Sequence, residues 1–295
     1  MDLSLWFCHF CPKFSVWEFE KRISEGSGNK EFNAQKIKEM GLDRYEGRWL
    51  SFQRLIPRIL EDCLKHQIEI IYWGQPEYPP AFKRLSFPPT IIFVRGNKKK
   101  LFNTNVSIVG ARHPTHLGRL WVQETVPRLV EEKIVIVSGG ARGIDAEAHF
   151  ATFQAKGETC AILPGGLDRF YPQGNRFIFE RILEQGVIIS EFPPKTDVRP
   201  ENFHRRNRLI AGLSEIVVVV EAARRSGTLI TAHRAVDENI DVLVVPGPAM
   251  VASYKGSLDL ISQGAGLARG AQDILNVIKN KNSLKKGQCS PTLEP

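Results

Sequence analysis

A glycine-rich turn that carries an arginine follows an apolar run in the middle of the chain, in the sequence VIVSGGARGIDAEAHF (135–150). Gly139 and Gly140 allow positive φ and close approach of the backbone to a ligand. The amides that open the following helix point outward, so this turn is suited to hold an anion such as phosphate. The same stretch contains no serine nucleophile with a neighbouring base, no paired carboxylates and no Walker lysine. The pattern predicts an anion site and leaves open whether the anion is only bound or also attacked.

Arginines follow five apolar runs in the same way, in the turns GAR, SGGARG, PGGLDRFYP, ENFHRRNR and EAARRSGT. If the runs are parallel strands, their carboxyl ends meet at one edge of the sheet, where open α/β sheets bind ligands. Arginine suits phosphate because its planar fork donates two parallel hydrogen bonds and stays charged. We call the eight residues the arginine rim: Arg112, Arg142, Arg169, Arg205, Arg206, Arg208, Arg224 and Arg225.

Aromatic residues lie in the same turns, at Phe170, Tyr171, Phe192 and Phe203. A mononucleotide needs one or two phosphate-binding groups, whereas the predicted rim extends over several strand spacings of ~5 Å. Cations next to aromatic rings are what a single strand with unstacked bases requires, although each ring can also cap the sheet core. The pattern favours an extended nucleic acid, with Phe203 and Tyr171 as the first aromatic candidates.

The elements that must position these turns form an alternating β/α pattern. Six β-branched runs are continuously apolar, which is typical of parallel strands buried on both faces. They lie at 106–110, 133–139, 159–165, 186–192, 215–222 and 241–247. Helix-like segments separate them, at 117–130, 143–156, 175–184, 207–213 and 228–238. The pattern predicts a Rossmann-like, doubly wound α/β domain with a mostly parallel sheet, which the strand-like residues 68–72 and 90–95 extend.

Two further parts flank this domain. Residues 1–67 show a helical, mixed-charge pattern and are expected to form a small N-terminal helical domain. The Rossmann-like domain is then expected at 68–275. Residues 276–295 are rich in lysine and are expected to be a disordered basic tail.

Composition indicates a folded protein with a preference for polyanions. Hydrophobic residues make up 42% of the chain, and 40 Lys+Arg against 32 Asp+Glu give a formal net charge of +8. The 5 cysteines are scattered, and no cleavable leader pattern opens the chain. No apolar run reaches the ~18 residues that span a bilayer. We expect a soluble, cytoplasmic protein without a membrane partner.

Seven short blocks resemble the DprA/Smf family of DNA-processing proteins and stand in that family's order within residues 91–271. The blocks are SIVGAR, SGGARGIDAEAH, LPGGLDRFYPQGN, SEFPP, FHRRNRLIAGLS, VEAARRSGTLITA and VPGP. The resemblance implies a cytoplasmic protein of natural transformation that binds single-stranded DNA. It also implies a homodimer formed through the Rossmann-like domain, and a role in loading the RecA recombinase.

The resemblance implies a DNA-binding site, and we expect no catalytic residues, metal or cofactor. Carried over residue by residue, and with Phe203 added from the aromatic pattern, the site comprises Arg112, Ser138, Gly139, Gly140, Arg142, Phe203, Arg205, Arg206, Asn207, Ser226, Gly227 and Thr228. Ala111 departs from the family's usual Ser or Thr and removes one phosphate contact. Gly140 stands where the family usually has a bulky apolar residue. Many members end in a winged-helix domain, which we do not expect here.

An enzyme is the alternative. The glycine-rich turns resemble those of nucleotide phosphoribohydrolases of related fold, but LPGGLDRFYP replaces their PGGxGT turn and the catalytic glutamate that follows it closely. Asp145, Asp168 and Glu191 are the carboxylates expected near the arginine rim, and helix capping or arginine pairing accounts for them. A dinucleotide oxidoreductase is disfavoured because no G-x-G-x-x-G follows a first strand with an acidic residue ~20 positions later.

Two other features leave alternatives open. Cys8, Cys11, Cys63 and His66 could supply four zinc ligands, but their spacing favours buried thiols. Residues 228–245 and 257–265 are candidates for a dimer surface, although packing against the sheet explains their apolar residues equally well.

Overall fold

The computed structural model describes residues 3–10 and 46–287, and within them nine strands form one sheet. The strand order is β1-β2-β6-β5-β4-β3-β7-β8-β9. The bounds are Glu69–Tyr72 (β1), Ile91–Gly96 (β2), Asn105–Val109 (β3), Val135–Ser138 (β4), Thr159–Leu163 (β5), Val187–Ser190 (β6), Ile216–Val219 (β7), Asp241–Val244 (β8) and Gly266–Leu267 (β9).

Strands β3 to β9 pair in parallel, and β1 and β2 form an antiparallel extension at one edge. Strand β3 pairs with both β4 and β7, so the winding direction of the sheet reverses there. The prediction of a Rossmann-like, doubly wound, mostly parallel sheet is therefore confirmed. The prediction that residues 68–72 and 90–95 extend the sheet is confirmed as well.

Helices cover both faces of the sheet. Their bounds are Leu3–Phe10 (α1), Glu46–Lys65 (α2), Pro80–Lys83 (α3), His116–Glu131 (α4), Ile144–Gln154 (α5), Arg176–Gln185 (α6), Pro200–Leu213 (α7), Gly227–Asp237 (α8), Lys255–Ser262 (α9) and Ala271–Gly287 (α10). None of these helices, within the described ranges, combines the length and apolar character that crossing a membrane requires.

The core lies in two layers, because successive strand residues point to opposite faces. Ile136 of β4 packs on the face that holds Leu129 of α4 and Ala148 of α5. Val137, the next residue, packs on the opposite face against Leu209 of α7 and other buried residues. Burial on both faces explains why the strand sequences are continuously apolar.

The two N-terminal helices pack on the sheet. Trp6 and Phe7 of α1 are fully buried and belong to one apolar cluster with Ile56 of α2, Phe93 of β2 and Ile188 of β6. The helices predicted for the N-terminal part therefore share a core with the sheet where the structure describes them. Much of the predicted domain, residues 11–45, lies outside the described residues.

The expectation of a disordered tail from residue 276 is wrong for residues 276–287, because α10 continues to Gly287. Ile274 and Ile278 are buried against the α4 face of the sheet at helical spacing. Lys281 also donates to the Glu215 carbonyl at 2.7 Å. The lysine-rich composition suggests a disordered tail, but apolar residues at helical spacing within it pack this helix against the sheet. The last residues of the predicted tail, 288–295, lie outside the described ones.

Candidate functional site

The carboxyl ends of β3, β4 and β5 open onto a cleft of about 580 Å³, which we call the central cleft. Its lining residues are Arg112, His113, Gly139, Ala141, Arg142, Pro164, Tyr171, Pro172, Gln173, Gly174, Phe203 and Arg206. Three arginines belong to this set, and no carboxylate from the described part of the chain does. The cleft is therefore positively charged and partly aromatic.

Arg206 of α7 is the buried arginine of the central cleft, with 5% of its surface exposed. Its Nη1 donates to the Ile162 carbonyl at 3.1 Å, and its Nε has no hydrogen-bond partner among the described residues. Burial lowers the pKa of Arg206 to about 10; Asp145 opposes this shift and Arg112 adds to it. The guanidinium is therefore charged at neutral pH and is only partly compensated by the protein.

The glycines of the SGGARG turn are required by close packing. A Cβ on Gly139 would lie 1.7 Å from Nη1 of Arg206 and 2.8 Å from Oδ2 of Asp145. Gly140 has φ +65°, and a Cβ there would lie 2.4 Å from the ring of Phe179. A bulky apolar side chain at this position would collide with Phe179, so Gly140 and this ring fit each other. Gly139 is what lets the guanidinium of Arg206 reach the turn.

The carboxylate of Asp145 accepts hydrogen bonds from the backbone of the SGGARG turn. Its Oδ2 accepts the N–H of Gly139 at 3.1 Å and that of Ala141 at 3.3 Å. Burial raises the pKa of Asp145, although Arg206 and these amides act in the opposite direction. The amides of Gly139 and Ala141 are thus occupied, which limits the anion site expected from the glycine-rich sequence.

Two further polar side chains hold this region together. The Ser138 hydroxyl is buried and donates to the Ile108 carbonyl at 2.7 Å, so it joins two strands and does not line the central cleft. Nδ2 of Asn175 donates to the carbonyls of Gly140 at 2.9 Å and Ala141 at 3.1 Å. Sequence reasoning missed Asn175, because its contact with the turn lies 35 residues away along the chain.

The predicted aromatic residues Phe203 and Tyr171 meet in the central cleft. Their ring centroids are 6.2 Å apart in a T-shaped arrangement, and Tyr171 is 44% exposed. The guanidinium carbons of Arg112 and Arg206 lie 5.8 Å and 5.5 Å from the Phe203 centroid. Arg142 is exposed and also lines the cleft. Such a site can bind a phosphate beside a flat ring.

The structure separates the arginine rim into groups. Arg205 and Arg208 lie outside the central cleft and form ion pairs with the buried carboxylate of Glu191, that of Arg205 at 3.1 Å. Burial raises the pKa of Glu191, but the two arginines outweigh burial and hold this pKa below its usual value. Arg205 also lies 5.0 Å from the centroid of the Phe192 ring. These two arginines stabilise a buried carboxylate.

The other rim arginines are also outside the central cleft. Arg224 makes two hydrogen bonds to Asp259, at 2.7 and 3.1 Å. Arg169 pairs with Asp197 at 3.4 Å, and Arg225 is exposed. The continuous row expected from the sequence is therefore reduced to three cleft arginines: Arg112, Arg142 and Arg206.

Comparison with known proteins decides the family. A sequence profile of the family described as DNA recombination-mediator protein A matches residues 69–279. The chain belongs to this family. The resemblance to DprA/Smf proteins is thereby confirmed. DNA processing protein DprA of Bacillus subtilis is 34% identical over 232 residues, which cover 78% of each chain.

Two solved structures of DprA proteins are similar to this one. DNA processing protein A of Streptococcus pneumoniae superposes with a TM-score of 0.77 at 31% identity, covering 90% of this chain and 98% of that chain. DNA processing protein A of Helicobacter pylori superposes with a TM-score of 0.66 at 28% identity, covering 73% and 97%. The latter structure concerns that protein's single-stranded DNA binding mode.

The remaining residues that the DprA resemblance implied lie beside the central cleft. Ser226 is the N-cap of α8, which begins with Gly227 and Thr228 after β7. The Thr228 hydroxyl donates to the Gly110 carbonyl at 2.9 Å, and Oγ of Ser226 is buried without a partner among the described residues. Asn207 is buried in α7 and does not line the cleft.

The zinc ligands considered from the sequence are only partly described. Cys8 and Cys63 are buried in one apolar cluster, and Cys11 lies outside the described residues. Burial, with smaller effects of Asp62 and Asp168, raises the pKa of Cys63 to about 12. Residues 3–10 and 46–287 contain no group of three or more His, Cys, Asp or Glu side chains that could hold a metal.

Proposed function

We propose that this protein binds single-stranded DNA in the central cleft, protects incoming strands and loads a RecA recombinase onto them in natural transformation. The observation that carries the proposal is the buried, only partly compensated guanidinium of Arg206 beside Phe203. Arg112 and Arg142 add two exposed charges to the same cleft. The phosphates of a DNA backbone provide anionic partners for these arginines, and the rings of Phe203 and Tyr171 provide surfaces on which bases can stack.

The H. pylori relative, whose structure concerns single-stranded DNA binding, supports this choice of ligand. In the proposal the protein performs no chemistry on the strand. The three carboxylates weighed for an enzyme all have structural contacts, which supports a binder. Asp145 accepts two amides of its turn, Asp168 accepts the Lys195 amide at 2.7 Å, and Glu191 is paired with arginines.

A cytoplasmic homodimer completes the proposal. Residues 228–245 and 257–265 lie in α8, β8 and α9, at the β9 end of the sheet. Val236 of α8 is 61% exposed there, which supports a surface that can meet a second subunit away from the central cleft. Two subunits joined in this way leave the central cleft of each subunit open to DNA.

A binding titration tests the central claim. Oligothymidylate, duplex DNA and a nucleoside monophosphate are compared at several salt concentrations. We expect oligothymidylate to bind far more tightly than duplex, with affinity falling steeply as salt rises, because phosphate binding releases counterions. Equal affinity for duplex would contradict the proposal. Release of free base from AMP that disappears in an Asp168→Ala variant would instead favour the phosphoribohydrolase alternative.

A second assay tests what binding achieves. RecA-dependent strand exchange is measured on single strands coated with single-strand-binding protein, with and without this protein. We expect the protein to relieve the block. If it binds single strands tightly as a dimer but never relieves the block, even with RecA from its own source, only a protective role remains.

A further inference from the structure

A second cleft, also of about 580 Å³, adjoins the central cleft at Gln173, which lines both. Its cationic and aromatic side chains are Arg95, Arg169, Arg176, His66 and Phe170; Asp168, Glu180 and Leu183 complete the lining with Gln173. We call it the second cleft. Residues 168–176 supply parts of both walls, so the two clefts share one segment of the chain.

Arg95 is the side chain that most clearly lacks a partner in the second cleft. It extends from β2, is half-buried, and Nη1 makes a long hydrogen bond of 3.4 Å to the Leu167 carbonyl. Its guanidinium carbon lies 5.5 Å from the Phe170 centroid. Among the described residues no carboxylate forms an ion pair with it, and burial lowers the pKa of Arg95. Arg95 therefore resembles Arg206, a partly desolvated cation on a phenylalanine ring.

Two other arginines of the second cleft have exposed side chains. Arg176, the first residue of α6, pairs with Glu180 at 2.7 Å, and both side chains are more than half exposed. Arg169 pairs with Asp197 at 3.4 Å and also with the nearly buried carboxylate of Asp168 at 3.5 Å. The exposed pair of Arg176 is weak, so a phosphate can replace the carboxylate of Glu180 at little cost. Arg176 is therefore available to a polyanion.

We propose that the second cleft binds the continuation of the DNA strand held in the central cleft, with backbone phosphates at Arg95 and Arg176. This inference rests on the proposed function. The strand passes Gln173, whose uncharged amide can donate to a phosphate or a base between the two cationic sites. A single strand is flexible enough to bend around the 168–176 segment, whereas a duplex is stiff on this scale. The second cleft thus lengthens the binding site beyond the nucleotides in the central cleft.

The test compares short and long oligothymidylates, of about 5 and about 20 nucleotides. The variant Arg95→Gln/Arg176→Gln is compared with the parent protein, with Arg112→Ala and with Arg181→Gln. Arg181 is an exposed arginine of α6 that lines neither cleft. Arg176→Gln is also measured alone, because this exposed residue can be replaced without disturbing the packing at Phe170.

We expect the double variant to bind the long strand roughly tenfold more weakly and the short strand within about twofold of the parent. For the long strand, the slope of log affinity against log salt concentration should become about 1.4 less steep, the value for two lost phosphate contacts with a single strand. Arg176→Gln should lose part of the affinity for the long strand. Arg112→Ala should bind both strands more weakly, and Arg181→Gln should bind both with the affinity of the parent.

Two results would overturn the inference while leaving the proposed function intact. In one, the parent binds both strands, and Arg95→Gln/Arg176→Gln and Arg176→Gln bind them with unchanged affinity and salt slope. In the other, the folded double variant loses short and long strands equally, which would place its effect in the central cleft. A parent protein that binds neither strand overturns the proposed function and this inference together.

Discussion

Helix α7 carries two arginine environments that differ sharply within three residues of sequence. Arg206 lines the central cleft, donates to a carbonyl and forms no ion pair with a described residue. Its neighbours Arg205 and Arg208 both pair with the buried carboxylate of Glu191. The same residue type is therefore left without an ion pair in one environment and neutralised inside the fold in the other. The partner, and not the arginine, decides between them.

This difference explains why counting arginines overestimates a nucleic-acid surface. A charge that is already compensated inside the protein gains little from a phosphate, because the existing pair must first be broken. A desolvated charge without a pair gains most. By this criterion we expect Arg206 and Arg95 to bind phosphate strongly, and Arg208 to bind it weakly despite its position in the HRRNR motif.

The largest expected effect is on the free energy of unfolding, when an arginine that pairs with Glu191 is removed. Arg208→Ala leaves Glu191 buried with only the more exposed Arg205, so we expect a loss of about 3 kcal/mol in the free energy of unfolding. Affinity for oligothymidylate should stay within about twofold of the parent. Denaturant unfolding and a binding titration measure the two quantities. Lower affinity at unchanged stability would mean that Arg208 contacts DNA.

The pH dependence of this loss gives a second check. The folded-state pKa of Glu191 lies below its usual value, because the arginines outweigh the effect of burial. The pair therefore stabilises the fold above the unfolded pKa near ~4.3 and loses this contribution as the pH falls through the folded pKa. We expect the stability difference between parent and Arg208→Ala to shrink below about pH 4. A difference independent of pH would exclude the ion pair as its cause.

The next effect is on binding, in the central cleft. Arg112→Ala combined with Arg206→Ala removes two charge-assisted contacts, and we expect a loss of about 2 to 3 kcal/mol, or roughly 30- to 150-fold in affinity. The matched control is Arg128→Ala combined with Arg181→Ala, which removes the same charge from the exposed surfaces of α4 and α6. Equal losses in both variants would show a general charge effect and contradict the site.

A smaller effect is expected from crowding Arg206 without removing it. Gly139→Ala places a methyl group 1.7 Å from its Nη1 in the present geometry, so the guanidinium must move. We expect affinity to fall roughly tenfold, with part of the charge still available nearby. Gly270→Ala is the control, since its Cβ meets no described atom within 4 Å. Normal binding by Gly139→Ala would show that the position of Arg206 is not critical.

The sheet could be predicted from the sequence because its strands are buried on both faces, and continuous runs such as IVVVV (216–220) record this directly. The sequence pattern predicts helix α7 only from residue 207, although the helix begins at Pro200. Its first turns are polar, and Asn202 there donates to the Pro164 carbonyl at 2.9 Å. A segment held by hydrogen bonds to loops shows no apolar period from which its start can be predicted.

Some features of the candidate site could also be predicted from the sequence, and others could not. Arg112 and Tyr171 could be predicted because parallel strands bring their carboxyl-end turns to one edge. Phe203 and Arg206 were expected in such a turn as well, but they reach the same cleft from helix α7. The pairing of Glu191 with Arg208 across 17 residues depends on how α7 packs, which sequence spacing does not encode. Ser138 shows a related limit, since an identical hydroxyl can face a ligand or, as here, a neighbouring strand.

The smallest expected effect belongs to Arg205, the residue adjacent to Arg206 and implicated in binding by the HRRNR motif. Its side chain is 36% exposed and pairs with Glu191, which Arg208 still neutralises when Arg205 is replaced. We expect Arg205→Gln to change oligothymidylate affinity by less than about twofold and stability by less than about 1 kcal/mol. Titration beside Arg206→Gln, the same substitution one residue later, isolates the effect of the environment, since net charge and sequence context are nearly equal. If the two variants lose affinity equally, the division of α7 into a binding and a folding environment is wrong, and the positive charge of the whole motif holds the strand.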